Sequence, residues 1–129
     1  KPPILSKHKA DFAILTAQRD LFLVEIEKTT TKLMKKNGHR AEPLNHAFEQ
    51  VNDWRLIIEE HRNAVWANLN IECNEVNDIR GIVIAGREDG YEAKSLRRLK
   101  MLKQDKIEFL TYDDLLFSLD ILIEKFGEI

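Results

Sequence analysis

The sequence contains little cysteine, glycine or proline. Cys73 is the one cysteine among 129 residues, with five glycines and three prolines. A single cysteine excludes an internal disulfide framework and a zinc site built only from thiolates, and it is typical of a reducing compartment. No run of about 18 apolar residues or signal peptide is recognisable, so we expect a cytoplasmic protein without a membrane span.

The remaining composition indicates one ordinary globular domain. Hydrophobic residues make up 43% of the chain and charged residues 33%, which excludes a disordered or fibrous protein. The sequence begins with Lys1 rather than Met. We therefore interpret residues 1–129 as a single domain from the C-terminal part of a longer protein, and we expect it to contact the missing N-terminal region.

Charge is unevenly distributed along the chain. Residues 1–40 contain nine Lys/Arg against four Asp/Glu, whereas the remainder contains 11 against 18. A basic segment that surrounds a few acids suits an anionic ligand bound through a metal ion. A solvated surface of uneven charge accounts for the same asymmetry.

The hydrophobic pattern predicts an α/β fold with a mixed central sheet flanked by helices. Two apolar runs joined by a polar stretch at 17–20 predict an antiparallel hairpin, and the polar, basic segment at 29–40 predicts a loop. Apolar residues at helical spacing predict one long helix over 42–69. The predicted strands are 10–16, 21–28, 80–86 and 107–110, and the later helices are 92–103 and 112–126, the last with Thr111 as its N-cap.

Three acids, Asp11, Glu25 and Glu27, interrupt the apolar hairpin strands. Alternate residues of a strand share a face, so Glu25 and Glu27 point the same way, and pairing through the 17–20 turn brings Asp11 near Glu25. Such carboxylates suit Mg²⁺ or Mn²⁺, which activates water and stabilises the charge that develops on a phosphodiester. The alternative is an edge strand whose exposed acids oppose aggregation.

The loop that follows the acids supplies cations that can contact phosphates. These are Lys28, Lys32, Lys35, Lys36 and Arg40. On the long helix, Gln50 lies at the margin of the apolar stripe, where it can bond a metal-bound water or a phosphate. The alternatives are a solvated loop and a surface amide.

The last predicted helix is rich in apolar side chains. We expect them to pack into the core, because apolar residues on a terminal helix usually do so. The alternative is a surface that packs on a neighbouring subunit or on the missing N-terminal region. The residues concerned are Phe117, Leu119, Ile121, Leu122, Ile123 and Phe126.

An ordered series of short stretches carries a resemblance to a known family. The stretches are DF at 11–12, LVEIEK at 23–28, LMKKNG at 33–38, LNHA at 44–47, QVNDW at 50–54, RGIVIAGR at 80–87 and IEFLTYDDLL at 107–116. In this order they resemble the nuclease domain of Shedu anti-phage defence proteins. The resemblance spans nearly the whole chain.

The resemblance implies a PD-(D/E)xK nuclease fold, related to restriction endonucleases, that cuts DNA with Mg²⁺ or Mn²⁺ as cofactor. It places Asp11 and Glu25 as metal ligands and Gln50 at the helix glutamine of the family, and it implies a homo-oligomer. The position two residues after Glu25, a lysine in the general superfamily pattern, is Glu27. We assign Glu27 as a third metal ligand and transfer the lysine role to Lys36.

The leading hypothesis is therefore a metal-dependent DNA endonuclease domain of a bacterial defence protein. Asp11, Glu25 and Glu27 bind the metal, Lys36 and Gln50 orient water or the scissile phosphate, and the basic loop holds DNA through sequence-independent phosphate contacts. The alternative, motivated by Glu27, is a catalytically degenerate domain that serves as a DNA-binding or oligomerisation module.

Overall fold

A computed structural model of the chain describes residues 3–5, 8–72, 76–101 and 106–126. Cys73 lies outside the described residues, as does the predicted end of the third helix at 102–103. A small antiparallel ribbon of β1 (Pro3–Leu5) and β2 (His8–Lys9) comes first and was not expected from the sequence.

The central sheet has four strands. They are β3 (Phe12–Leu15), β4 (Asp20–Ile26), β5 (Asp78–Ile84) and β6 (Ile107–Leu110), which lie side by side in that order. β3 and β4 are antiparallel, whereas β4, β5 and β6 are parallel. This mixed sheet with helices confirms the predicted α/β class.

The predicted hairpin is present between β3 and β4. The N–H of Thr16 donates to the carbonyl of Asp20 at 2.9 Å, and the Asp20 N–H donates to Thr16 Oγ1 at 3.1 Å. Arg19 has a φ of 66°, the left-handed conformation that tight turns use. The turn therefore falls where the polar stretch predicted it, between strands shorter than expected.

The helices are α1 (Glu42–Glu60), α2 (Arg62–Leu69), α3 (Ala93–Met101) and α4 (Tyr112–Phe126). The prediction of one uninterrupted helix over 42–69 is wrong, because His61 leaves the helical region with φ −130° and ψ 41°. The His61 N–H still donates to Ile57, and the His61 carbonyl still accepts from Val65. Since hydrogen bonding continues across the break, apolar spacing alone did not reveal it.

The main core lies between α1 and one face of the sheet. Leu44, Val51, Trp54 and Ile58 of α1 are buried there. The helix approaches β5 at Gly81, where an added Cβ would collide with Val51 Cγ1. Gly81 therefore sets how closely this helix and strand pack.

Four of the apolar side chains predicted to pack into the core from α4 are exposed, so that expectation is wrong for them, whereas the side chains of Leu122 and Phe126 lie outside the part of the chain that the structure describes. Phe117 is 67% exposed, Leu119 51%, Ile121 48% and Ile123 57%. At 100° per residue Phe117 and Ile121 lie on one side of the helix, and Leu119 and Ile123 lie on the opposite side. Because α4 contacts β6 along one side, most of these side chains are not covered by the described part of the fold. Among the described residues, no helix combines the length and apolar character needed to cross a membrane.

Candidate functional site

The predicted acids lie where β4 ends. Because β4, β5 and β6 are parallel, their carboxyl ends meet at one edge of the sheet. Glu25 is half-buried and shares the α1-facing side of β4 with Leu21 and Leu23 by strand alternation. Glu25 therefore lies between the buried face of the sheet and the edge formed by the carboxyl ends of the parallel strands.

Asp11 lies just before β3 and reaches the neighbouring strand. Its Oδ2 accepts a hydrogen bond from the Ile26 N–H at 2.8 Å, and its own N–H donates to the Val24 carbonyl at 3.1 Å. The Asp11 carboxylate is thus held beside the peptide that follows Glu25. The hairpin brings these two acids to the same end of β4, as the sequence predicted.

Glu27 is fixed through its backbone. Its N–H donates to the Ile84 carbonyl at 2.8 Å, and its carbonyl accepts from the Tyr112 hydroxyl at 2.6 Å. The side chain is half-buried. These two hydrogen bonds therefore hold the backbone of Glu27 in place just after the end of β4.

The chemistry of these acids fits a hydrated magnesium ion rather than a closed metal cage. Mg²⁺ is usually held by one or two carboxylates together with water and substrate oxygens, and Asp11 with Glu25 supplies such a pair. Over the parts of the chain that the structure describes, no group of three or more His, Cys, Asp or Glu side chains is arranged to hold a metal. Metal binding by Asp11, Glu25 and Glu27 stays a prediction.

The basic loop forms one wall of a groove, and α3 with the turn before it forms the other. Lys32, Lys35 and Lys36 line this groove of about 840 Å³, and Arg98 of α3 joins them. Two hydrogen bonds shape the loop: Lys35 N–H to the His39 carbonyl at 2.8 Å, and Gly38 N–H to the Lys35 carbonyl at 3.0 Å. The sequence reasoning missed Arg98, which lies far from the loop in sequence.

The other two predicted DNA-contacting cations lie elsewhere. The guanidinium of Arg40 sits 4.3 Å from the centre of the Phe48 ring on α1. Burial lowers the pKa of Arg40, and the carboxylate of Glu49 offsets part of this. Lys28 is exposed, and its backbone carbonyl accepts from Gly86 N–H at 3.0 Å. A DNA contact by either residue stays a prediction.

Gln50 is half-buried on α1. The buried residues Ala47 and Trp54 lie about one turn away on either side. Gln50 therefore occupies the predicted margin of the core-facing side, while its proposed contact with water or phosphate stays a prediction.

An ion-pair network, which we call the α4 anchor, was not expected from the sequence. Arg87 donates from two nitrogens to the Asp113 carboxylate at 2.9–3.2 Å, and Lys100 bridges Glu88 at 3.1 Å and Asp114 at 2.9 Å. The network ties the segment after β5 and helix α3 to the start of α4. Its partners lie 12 to 26 residues apart, a separation that local patterns do not reveal.

Thr111 confirms the predicted N-cap of α4. Its Oγ1 accepts from Asp114 N–H at 3.1 Å while Asp114 Oδ2 accepts from Thr111 N–H at 2.9 Å, a reciprocal arrangement known as a capping box. Thr111 Oγ1 also donates to Glu88 Oε2 at 2.8 Å. This buried hydroxyl therefore joins the cap to the α4 anchor.

The pKa shifts in the α4 anchor follow its ion pairs. Hydrogen bonds from Arg87 and from Glu88 N–H lower the pKa of the Asp113 carboxyl. For Asp114, burial raises the pKa, but the Thr111 N–H and the Lys100 ammonium outweigh it and the net shift is downward. Burial likewise lowers the pKa of Lys100, yet Asp114 and Glu88 raise it by more. All three groups are therefore held in their charged forms.

The fold and the site define a class of protein. A four-stranded mixed sheet flanked by helices, with acids where an antiparallel hairpin meets parallel strands, is compatible with a restriction-endonuclease-like core.

The comparisons then identify the family. The family model described as "Shedu protein SduA, C-terminal" matches residues 1–116. The chain belongs to this family and is a domain of an anti-phage defence protein, which confirms the resemblance found in the sequence. No curated protein matches the chain.

Proposed function

We propose that this domain is a metal-dependent endonuclease that hydrolyses phosphodiester bonds of DNA. The observation that carries the proposal is the hydrogen bond from Ile26 N–H to Asp11 Oδ2 at 2.8 Å. This bond holds a carboxylate at the end of β4, beside the position of Glu25. Membership of a defence-protein family supports the same function.

The predicted residues fall into three groups in this proposal: metal ligands, residues that orient the water or the phosphate, and cations that contact the DNA backbone. Asp11 and Glu25 would hold Mg²⁺ or Mn²⁺ directly, and Glu27 would contact the ion through a bound water. When bound, the metal supplies water activation and stabilises charge on the scissile phosphate. Lys36 and Gln50 orient the water or the phosphate. Lys28, Lys32, Lys35 and Arg40 contact the DNA backbone without reading its sequence.

Nicking of supercoiled plasmid by the 129-residue chain tests the proposal. We expect nicking with Mg²⁺ or Mn²⁺, none with EDTA, and a loss of at least about 100-fold in Glu25→Gln, because the amide removes one anionic metal ligand. Glu124→Gln changes the same functional group at an exposed site on α4 and should nick at the wild-type rate. Nicking by Glu25→Gln at the wild-type rate would refute the assigned site.

Thermal unfolding separates metal binding from catalysis. A ligand that binds only the folded chain raises the melting temperature by mass action. We expect Mg²⁺ to raise it in the wild-type chain and in Glu124→Gln, and to have a much smaller effect in Glu25→Gln. Equal shifts in the wild-type and Glu25→Gln chains would place the ion elsewhere.

A second candidate function is an interaction module with a degenerate nuclease site. The exposed apolar side chains of α4 favour it, with Phe117 at 67% exposure and Ile123 at 57%. We propose that this helix contacts a second copy of the chain or the N-terminal region of the protein. A wild-type chain that associates in light scattering but neither nicks DNA nor shifts with metal would favour this function. The Phe117→Ser variant should then be monomeric.

A further inference from the structure

The groove between the basic loop and α3 combines positively charged side chains with aromatic and thioether side chains. Lys32, Lys35, Lys36 and Arg98 line it together with one acid, Glu92. Ion pairs within the described residues occupy Arg62, Arg80, Arg87, Lys100 and Lys106, and none of these pairs involves a groove cation. Among the residues that the structure describes, the four cations therefore share the groove with one carboxylate, that of Glu92.

The groove also presents an aromatic ring and thioethers. Tyr91 and Met101 line it, and Met101 is 70% exposed. The Tyr91 hydroxyl accepts from Leu33 N–H at 3.0 Å, so the ring is held against the basic loop at a fixed position. A flat ring and a flexible thioether are suitable surfaces for the face of a base.

The groove has the size of a small-ligand pocket, which favours an unpaired nucleotide over a duplex as its occupant. At about 840 Å³, it falls within the range of small-ligand pockets, which is roughly 300–1,000 Å³. A duplex presents phosphates on its outer surface and keeps its base faces stacked inside. Its bases therefore cannot contact the Tyr91 ring inside the groove. An unpaired nucleotide offers both a phosphate and an accessible base face.

We propose that this groove binds an unpaired nucleoside phosphate, with the phosphate against Lys35, Lys36 and Arg98 and the base against Tyr91 and Met101. The inference extends the proposed nuclease function, since it adds a preference for an unpaired segment of the DNA. A free nucleotide has the same chemistry as that segment. The experiment therefore has to distinguish a free nucleotide from an unpaired DNA segment as the ligand of the groove.

Fluorescence anisotropy with the full chain in EDTA tests the proposal without any cleavage. The probes are a labelled oligothymidylate, a labelled duplex of equal length, and thymidine monophosphate as competitor. We expect the single strand to bind at least about fivefold more tightly than the duplex, because only the unpaired bases reach the aromatic wall. Displacement by millimolar thymidine monophosphate would identify a free nucleotide as a sufficient ligand, and its failure would identify the strand.

Variants assign the binding to the groove. Arg98→Gln should weaken single-strand binding about fivefold by removing one phosphate contact. Met101→Ser should weaken the single strand but not the duplex, because it removes a base contact and leaves the charge unchanged. Lys94→Gln is the matched control, because Lys94 is an exposed cation on the same helix outside the groove lining, and it should bind as the wild type does.

The result that would overturn the proposal is duplex binding as tight as single-strand binding, or equal losses in Arg98→Gln and Lys94→Gln. Neither result depends on nicking activity. An inactive chain that binds the single strand through Arg98 and Met101 would refute the nuclease proposal and retain the groove. An active chain with no such preference would refute the groove and retain the nuclease.

Discussion

The Tyr112 hydroxyl donates a hydrogen bond of 2.6 Å to the backbone carbonyl of Glu27. Tyr112 is the first residue of α4, and Glu27 lies 85 residues earlier, just after β4. Tyr112 N–H also donates to the Gly86 carbonyl, and Gly86 N–H donates to the Lys28 carbonyl. These bonds connect the start of α4 to the end of the strand that carries Glu25.

Removing this hydroxyl should loosen that connection without disturbing the core. We expect Tyr112→Phe to lower the free energy of unfolding by about 1 kcal/mol, the usual net contribution of one hydrogen bond. Urea denaturation measures the change. Phe117→Leu, on an exposed position of the same helix, should change it by less than about 0.5 kcal/mol. Equal effects of the two substitutions would contradict the role of the hydroxyl.

A second prediction concerns the contact between α1 and β5. An added Cβ at Gly81 would collide with Val51 Cγ1 and lie 3.3 Å from Ile107 Cγ1. Gly81→Ala should therefore lower the free energy of unfolding by about 1–3 kcal/mol through overpacking. Urea denaturation of the single variant measures this cost.

The double variant shows whether the collision causes the loss. Val51→Ala alone creates a cavity, but in the Gly81→Ala background it makes room for the new methyl group. The double variant should lose less stability than the two single losses added together. Simple additivity of the two losses would show that the helix–strand contact is not the cause.

Local sequence patterns predicted the elements whose hydrogen bonds are local. The hairpin turn around Arg19 and the cap at Thr111 depend on residues within a few positions of one another. The alternation within β4 also placed Glu25 and Asp11 at one end of the hairpin. These features are determined by short-range geometry, which composition and spacing encode.

Contacts between distant segments were not predictable in the same way. Arg40 and Lys36 look equivalent as loop cations, yet Arg40 lies on the Phe48 ring and Lys36 lines the groove. Arg98 joins that groove only because the basic loop lies against α3. The exposure of Phe117 likewise depends on what the rest of the fold covers. Only tertiary packing decides such features.

The ion pairs of the α4 anchor predict how the free energy of unfolding depends on pH. The pKa of the Asp114 carboxyl is lowered in the folded chain, so its contribution is complete above the unfolded value of about 3.9. That contribution is lost as the pH falls through the lower, folded pKa. We therefore expect the free energy of unfolding to be nearly constant from pH 5 to 7 with respect to this group, and to decline below about pH 4.

Replacing the carboxylate tests the assignment of that decline. Asp114→Asn keeps an oxygen to accept from Thr111 N–H but removes the charge that pairs with Lys100. It should be less stable than the wild type at neutral pH and approach the wild-type value at the lowest pH, giving a shallower acid slope. Asp120→Asn, an exposed position on α4, should leave the slope unchanged. An unaltered slope in Asp114→Asn would show that other carboxylates dominate.

The last prediction follows from the exposure of α4. Phe117 and Ile123 are 67% and 57% exposed, so Phe117→Ser and Ile123→Ser should change the free energy of unfolding of the monomer by less than about 0.5 kcal/mol. Leu99 of α3 is only 3% exposed, and Leu99→Ala should cost about 2–5 kcal/mol because it leaves a cavity. Urea denaturation at low concentration, where any association is suppressed, compares the three variants. If the α4 variants lost as much stability as Leu99→Ala, the helix would belong to the core of the monomer, as the sequence alone had suggested.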